Sequence, residues 1–215
     1  MKTKLVIFSM IVSLLIFFSC ATTIPVQANL SDQIMLLAKN KNIKANYTLV
    51  SEVPDTIPYI FEYKDGRQAS SLSLDYDAEL AFNKIWGAYF SNKFNNYSTD
   101  QINILVTLKS LSMKEITATS TGMMLLTGNT KSNIESMAKI HVIIDYHGKK
   151  YENEFNISSA EYQESQLMQS GSVTYFKSQT NPTQQKSILF ESCLNRSIIE
   201  FENFIESAIL TNSEQ

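Results

Sequence analysis

Hydrophobic and polar positions along this chain recur with two periods, and those periods predict its elements. From Asp77 onward, Phe82, Ile85, Trp86, Tyr89, Phe90 and Phe94 return every three or four residues, the spacing that gathers side chains on one face of an α-helix. Asp75 or Asp77 can cap its start, and Asn95-Asn96 can end it. A second helix opens at Asn181-Pro182, with Asn as N-cap and Pro in the first position, where its missing N–H is not needed. Its apolar stripe is Phe190, Leu194, Ile198, Phe201, Ile205 and Ala208. Glu191, Glu200, Glu202 and Glu206 fall on other faces and are expected in solvent.

Period two marks strands. Ile102, Ile104, Val106 and Leu108 alternate with Asn103, Leu105, Thr107 and Lys109, and Ala138, Ile140, Val142, Ile144 and Tyr146 form a second series. Residues 47–50, 59–63 and 71–76 read as further strands. The last two flank Lys64-Asp65-Gly66-Arg67, an Asp-Gly hairpin turn. His147-Gly148-Lys149-Lys150 turns the 138–146 strand back into another over 151–157. Residues 116–133, rich in Thr, Ser and Gly around Met123-Met124-Leu125-Leu126, are an extended loop or a prolonged strand end, and Gly171 marks a loop. The order hairpin, helix, strand, hairpin, helix predicts an α+β fold: an antiparallel sheet of hairpins with two amphipathic helices packed on one face.

The N-terminus has a different pattern. Lys2 and Lys4 precede an apolar stretch over residues 5–18, interrupted only by Ser9 and Ser13, and small Ser19 leads to Cys20. A basic start, an apolar centre and a small residue at the break make a secretory signal peptide. A retained spanning helix would need roughly 17–25 apolar residues and a positive flank, whereas Ala21-Thr22-Thr23 follows here. Ordinary cleavage after Val26-Gln27-Ala28 is an alternative, at the cost of about ten residues between apolar stretch and cut. The chain therefore divides into a leader over residues 1–19, an N-terminal tether over 20–45 with a short apolar cluster at Ile34-Met35-Leu36-Leu37, and one α+β domain over 46–215.

Composition narrows the chemistry. The chain has 18 basic and 21 acidic residues, a net charge of −3, and loss of Lys2 and Lys4 with the leader takes this to −5. That balance offers no electrostatic attraction to nucleic acid. Six glycines form no phosphate cradle, and there is no Gly-x-Ser-x-Gly or His-Glu-x-x-His. Cys193, the only other cysteine, lies in an apolar helical stretch, where a buried, inert thiol is expected. One constellation has ligand character: His141, Asp145 and His147 share strand parity, so a regular strand would present them on one face. Against it, the opposite face to Ile140, Val142 and Ile144 must be polar in any case, and His147 falls in the turn. No catalytic residue, cofactor or metal ion is expected.

Two resemblances add to this reading. Phe17-Phe18-Ser19-Cys20 resembles the lipobox of bacterial lipoproteins, with Ser19 and Cys20 fitting and Phe17 and Phe18 departing from its usual Leu and small residue. The resemblance implies acylation of Cys20, attachment to the membrane through those acyl chains and, with Ala21 rather than Asp next, an outer-membrane destination. From Asp77 to the end, the chain resembles the uncharacterised YajG-type lipoproteins of bacterial envelopes. The likeness is carried by the helix through Phe94, by Ile102-Asn103-Ile104-Leu105-Val106-Thr107-Leu108-Lys109-Ser110-Leu111, and by Ser136-Met137-Ala138-Lys139-Ile140-His141-Val142-Ile143-Ile144. The turn at His147-Gly148-Lys149-Lys150 and the terminal helix complete it. It implies an outer-membrane lipoprotein with an α+β domain and an unknown task, and brings no catalytic residues. The leading expectation is a non-enzymatic domain facing the periplasm that binds or scaffolds an envelope protein or lipid. Assistance to lipid or lipopolysaccharide transport, a metal-dependent envelope enzyme on the His141, Asp145 and His147 face, and a soluble periplasmic protein beginning at Asn29 are the alternatives.

Overall fold

A computed structural model describes residues 22–38, 44–63, 65–94, 101–117, 132–159 and 182–213. In chain order the elements are β1 (Thr22–Thr23), α1 (Asp32–Leu37), β2 (Lys44–Ser51), β3 (Thr56–Tyr63) and β4 (Gln68–Asp75). Then follow α2 (Ala78–Lys93), β5 (Gln101–Thr117), β6 (Ser132–Tyr146), β7 (Lys149–Ser158) and α3 (Pro182–Ser213). The expected leader and Cys20 lie outside the described residues, as do Asn95-Asn96, the cluster at 123–126, Gly171 and Asn181.

The seven strands form one sheet in the order β1-β4-β3-β5-β6-β7, with β2 also on β5. β5 is its spine. One edge pairs with β6 along its whole length; the other is shared end to end, by β2 along residues 101–108 and by β3 along 113–117. The α+β architecture and the two helices on one face are as the periodicity predicts. The sheet, however, is mixed rather than antiparallel: β1 on β4, β2 on β5 and β3 on β5 all pair parallel. The reason is connection length. Tight turns at Gly66 (φ +83°) and at His147-Gly148 (φ +51° and +75°) force antiparallel hairpins β3–β4 and β6–β7. The path from β2 or β3 to β5 passes through β4 and α2, long enough to bring the chain back in the same direction.

The inward stripe of β5 changes parity once. Ile102, Ile104, Val106 and Leu108 are buried, and then Leu111 and Met113. The register shifts between Leu108 and Ser110, so Lys109 is the extra residue of a bulge. Lys109 turns outward to Glu52, with Nζ 2.6 Å from Oε1.

Asp77 caps α2, its Oδ1 accepting from the Leu80 N–H at 2.8 Å. Trp86 sits at the centre of the helix layer, its ring 5.4–6.1 Å from those of Phe82, Tyr89, Phe90 and Phe201. Each such buried side chain contributes about 1.5–3 kcal/mol of gross transfer free energy. On α3 the expected stripe from Phe190 to Ala208 is buried throughout.

The expected tether is mostly absent, because residues 22–38 belong to the fold. β1 pairs with β4, and Ile24, Ile34 and Ala38 are buried. The segment runs along α3, bonded to Ser187, Glu191 and Asn195, which recur every four residues and so form one stripe. Its polar side chains Thr23, Gln27 and Asn29 stay in solvent, while its backbone is what α3 holds.

Candidate functional site

The two helices cover one face of the sheet, and among the described residues no element covers the other. On that open face the cross-strand rows are Asn46–Asn103–Asp145–Lys150, Thr48–Leu105–Ile143–Glu152 and Val50–Thr107–His141–Glu154. Most of its charges are paired. Lys139 reaches Glu154 at 3.0 Å, Lys114 reaches Glu62 at 2.5 Å, and Asn46 donates to Asn103 at 3.2 Å. Leu105 and Ile143, directly opposite each other, are half-buried among them.

His141, Asp145 and His147 do not converge. His141 Nε2 lies 2.9 Å from Glu152 Oε1. That hydrogen bond, followed by the charge of Lys150, holds the Glu152 carboxyl below the ordinary carboxylate range. Asp145 stands four residues further along β6, about 13 Å at the rise of a strand, and pairs in register with Lys150. His147 is in the turn, its ring 4.1 Å from that of Tyr146. Donors to one zinc ion each sit about 2.0–2.2 Å from it, and the described residues contain no His, Cys, Asp and Glu group of that kind.

Cys193 is buried, with Sγ 3.1 Å from the Ser136 carbonyl oxygen. Burial pushes its thiol up to about 12 from an ordinary 9, so it carries almost no thiolate near neutral pH.

The most deeply buried ion pair among the described residues lies between the helices, and the sequence pattern missed it. Lys93 Nζ is 2.6 and 2.8 Å from the two carboxylate oxygens of Glu202 and 2.9 Å from the Leu37 carbonyl oxygen. Tyr89 donates its hydroxyl to Glu202 at 2.8 Å. Both charged side chains are almost fully buried, at 4% and 7% exposure. Burial first, and the Glu202 charge second, push the Tyr89 phenol well above its usual range. This cluster ties the C-terminal end of α1 to both long helices.

Glu191 is buried as well. It accepts from the Gln27 N–H at 2.7 Å and from Ser187 Oγ at 3.0 Å. Two of the four glutamates expected in solvent on α3 are therefore internal. The signal available in sequence was a second stripe, Ser187, Glu191, Asn195, Ile198 and Glu202, which only a helix buried on two sides would need to cover.

A third polar group lies where the sheet begins. Tyr59 donates its hydroxyl to Glu115, and Lys186 Nζ sits 4.2 Å from the centre of the Tyr59 ring. Burial raises the Tyr59 phenol, with Glu115 adding to the rise, and burial lowers Lys186. Leu72 is the cross-strand partner of Tyr59 and remains 58% exposed.

Among the described residues, no helix is long and apolar enough to cross a membrane. No family model and no curated protein matches the chain. Solved structures similar to it include the crystal structure of an uncharacterized protein, 9% identical, with 86% of this chain and 99% of that one covered and a TM-score of 0.45. Another is protein XCC0632 from Xanthomonas campestris, family DUF330, 8% identical, with 91% and 99% covered and a TM-score of 0.46. Likenesses at that level carry no argument about function.

Proposed function

We propose that this chain is a lipoprotein of a bacterial cell envelope, acylated on Cys20, whose α+β domain is a non-enzymatic binding or scaffolding module facing the periplasm. The observation that carries the reading is the position of the first described element. β1 begins at Thr22, two residues after Cys20, so a cut before Cys20 leaves every described element whole.

The rival cut after Ala28 fares worse. It deletes β1, the buried Ile24, the Ile24 N–H bond to the Asp75 carbonyl and the bond from Ser187 Oγ to the Pro25 carbonyl. It also deletes the Gln27 N–H, leaving the buried Glu191 carboxylate with Ser187 as its side-chain donor. Removing one partner of a buried polar group costs about 1–3 kcal/mol, more where the group is charged. The acyl anchor supplies about 0.8 kcal/mol per buried methylene, and more than one chain makes attachment stable.

The non-catalytic part of the reading rests on the state of the reactive side chains. One histidine is engaged with Glu152, the other sits in a turn, and Cys193 is a buried neutral thiol. The outer-membrane destination rests on Ala21 alone. The test is the mass of the mature N-terminus after expression of the full chain in a bacterium. An acylated Cys20 supports the assignment; a free Asn29, or Cys20→Ala protein processed and attached as before, overturns it.

A further inference from the structure

We propose that the β1–β4 edge of the domain lies against the phospholipid headgroup layer, with Leu72 as its apolar contact and Lys186 as its cation. This rests on the acylated Cys20 proposed above and adds an orientation to it.

The argument begins with chain length. Cys20 is two residues from Thr22, so their Cα atoms are at most about 7 Å apart whatever the conformation. A flexible tether over residues 20–45 would have placed the domain about 25–30 Å from its anchor. Here there is no such slack. The entry is held by the β1–β4 pairing, by Thr23 Oγ1 donating to Asp75 at 3.0 Å and by the Ile24 N–H bonded to the Asp75 carbonyl at 2.8 Å. The acyl chains are therefore rooted beside this edge.

Direction follows from register. β1 runs parallel to β4, with Thr22 beside Leu74, so the N-terminal end of β1 points towards the Leu72 end of β4. Residues 68–73 carry no further described strand on their outer edge. Leu72 has the same parity as buried Leu74 but is largely exposed. Its cross-strand partner Tyr59 carries Lys186 over its ring, and Ser71 and Ser73 flank it in sequence. Leu72 stands at an edge that no described strand covers, with the Lys186 ammonium on its cross-strand neighbour Tyr59 and the hydroxyls of Ser71 and Ser73 on the opposite face of the strand; that mix suits the boundary between acyl chains and phosphates.

The occupant is thus the bilayer that holds the anchor. Other large apolar residues are exposed elsewhere: Met35, Leu36 and Leu37 on α1, Tyr47 and Val50 on β2, Leu80 on α2 and Met137 on β6. α1 is remote from β1 along α3: Pro25 accepts from Ser187, whereas Leu37 accepts from Lys93, the partner of Glu202, about 22 Å further on at the rise of a helix.

The test uses the full chain, expressed and acylated in a bacterium and reconstituted in vesicles of phosphatidylethanolamine and phosphatidylglycerol. An environment-sensitive thiol dye is attached at Leu72→Cys or, as control, at Asp145→Cys, about 30 Å away along the strands. Buried Cys193 does not compete for the dye. The expected result is several-fold stronger quenching by lipid-borne than by water-borne quencher at 72, and the reverse at 145. Protein that floats with the vesicles while the dye at 72 reports water overturns the orientation and leaves the anchor standing. A dye at 72 shielded from both quenchers points to a protein partner and also overturns it. Protein that does not float removes the anchor, and the orientation with it.

Discussion

Replacing Lys93 by Met tests whether the ion pair between α2 and α3 is as internal as its geometry indicates. Lys93 Nζ has three oxygen partners within 2.9 Å, two of them on Glu202. At an effective dielectric constant near 20, charges about 2.7 Å apart attract by about 6 kcal/mol. Desolvation of both groups offsets most of that attraction, so the pair as a whole contributes little relative to an apolar replacement. Removing one partner is another matter. Glu202 would be left buried without its cation, with the Tyr89 hydroxyl as remaining donor, and the Leu37 carbonyl would lose Lys93. The expected cost is about 3–5 kcal/mol. For a domain of this size that lowers the thermal midpoint by about 6–20 °C. The double change Lys93→Met with Glu202→Gln removes both charges and keeps an acceptor for Tyr89. Its expected cost is about 1–3 kcal/mol, for the Leu37 carbonyl, less than either single change. Urea unfolding is the assay, read through the fluorescence of Trp86, the chain's one tryptophan, whose ring lies 6.1 Å from that of Tyr89. A cost below about 1 kcal/mol for Lys93→Met is the range of an exposed pair and would refute the reasoning. So would a double variant as unstable as the sum of the two singles.

Three other outcomes are expected. Asn195→Ala loses an acceptor for the Ser31 N–H and a donor to the Asn29 carbonyl, at about 1–3 kcal/mol. Limited proteolysis should then cut within residues 25–31 before any other site; an unchanged digestion pattern contradicts the packing of that segment. Gly148→Ala puts a Cβ at φ +75° in the β6–β7 turn and should cost about 1–2 kcal/mol, measured as a shift in the urea midpoint. Cys193 should react with an alkylating reagent only after unfolding. Because its folded value is raised from 9 to about 12, its contribution to stability is complete below about pH 9 and is lost as pH rises towards 12. Cys193→Ala should therefore flatten the fall of stability across that window, and an unchanged slope would exclude the thiol from it.

Much of the fold was readable from periodicity, and the reason is local. The α2 face from Phe82 to Phe90, the α3 stripe, the alternating strands at 102–108 and 138–146 and both hairpin turns depend on side chains a few residues apart. Of the surface around the proposed anchor, by contrast, only Cys20 and the expected leader were visible in advance. Leu72, Lys186 and Tyr59 come together through the β3–β4 register and the placement of α3, which no short window of sequence contains.

The parity change in β5 shows the same limit at smaller scale. Leu108 and Leu111 are both internal because Lys109 bulges, and the bulge exists only relative to β6.

What the amino-acid sequence alone determined was the α+β class and the principal apolar faces, and it alone carries the case for a leader before Cys20. Tertiary structure decided strand direction, the burial of Glu191 and Glu202, and the absorption of residues 22–38 into the domain. Those decisions depend on partners far apart in the chain, such as Gln27 with Glu191 and Lys93 with Glu202. A polar side chain reads as solvated until the group that replaces its water is in place, and here that group is supplied by the fold.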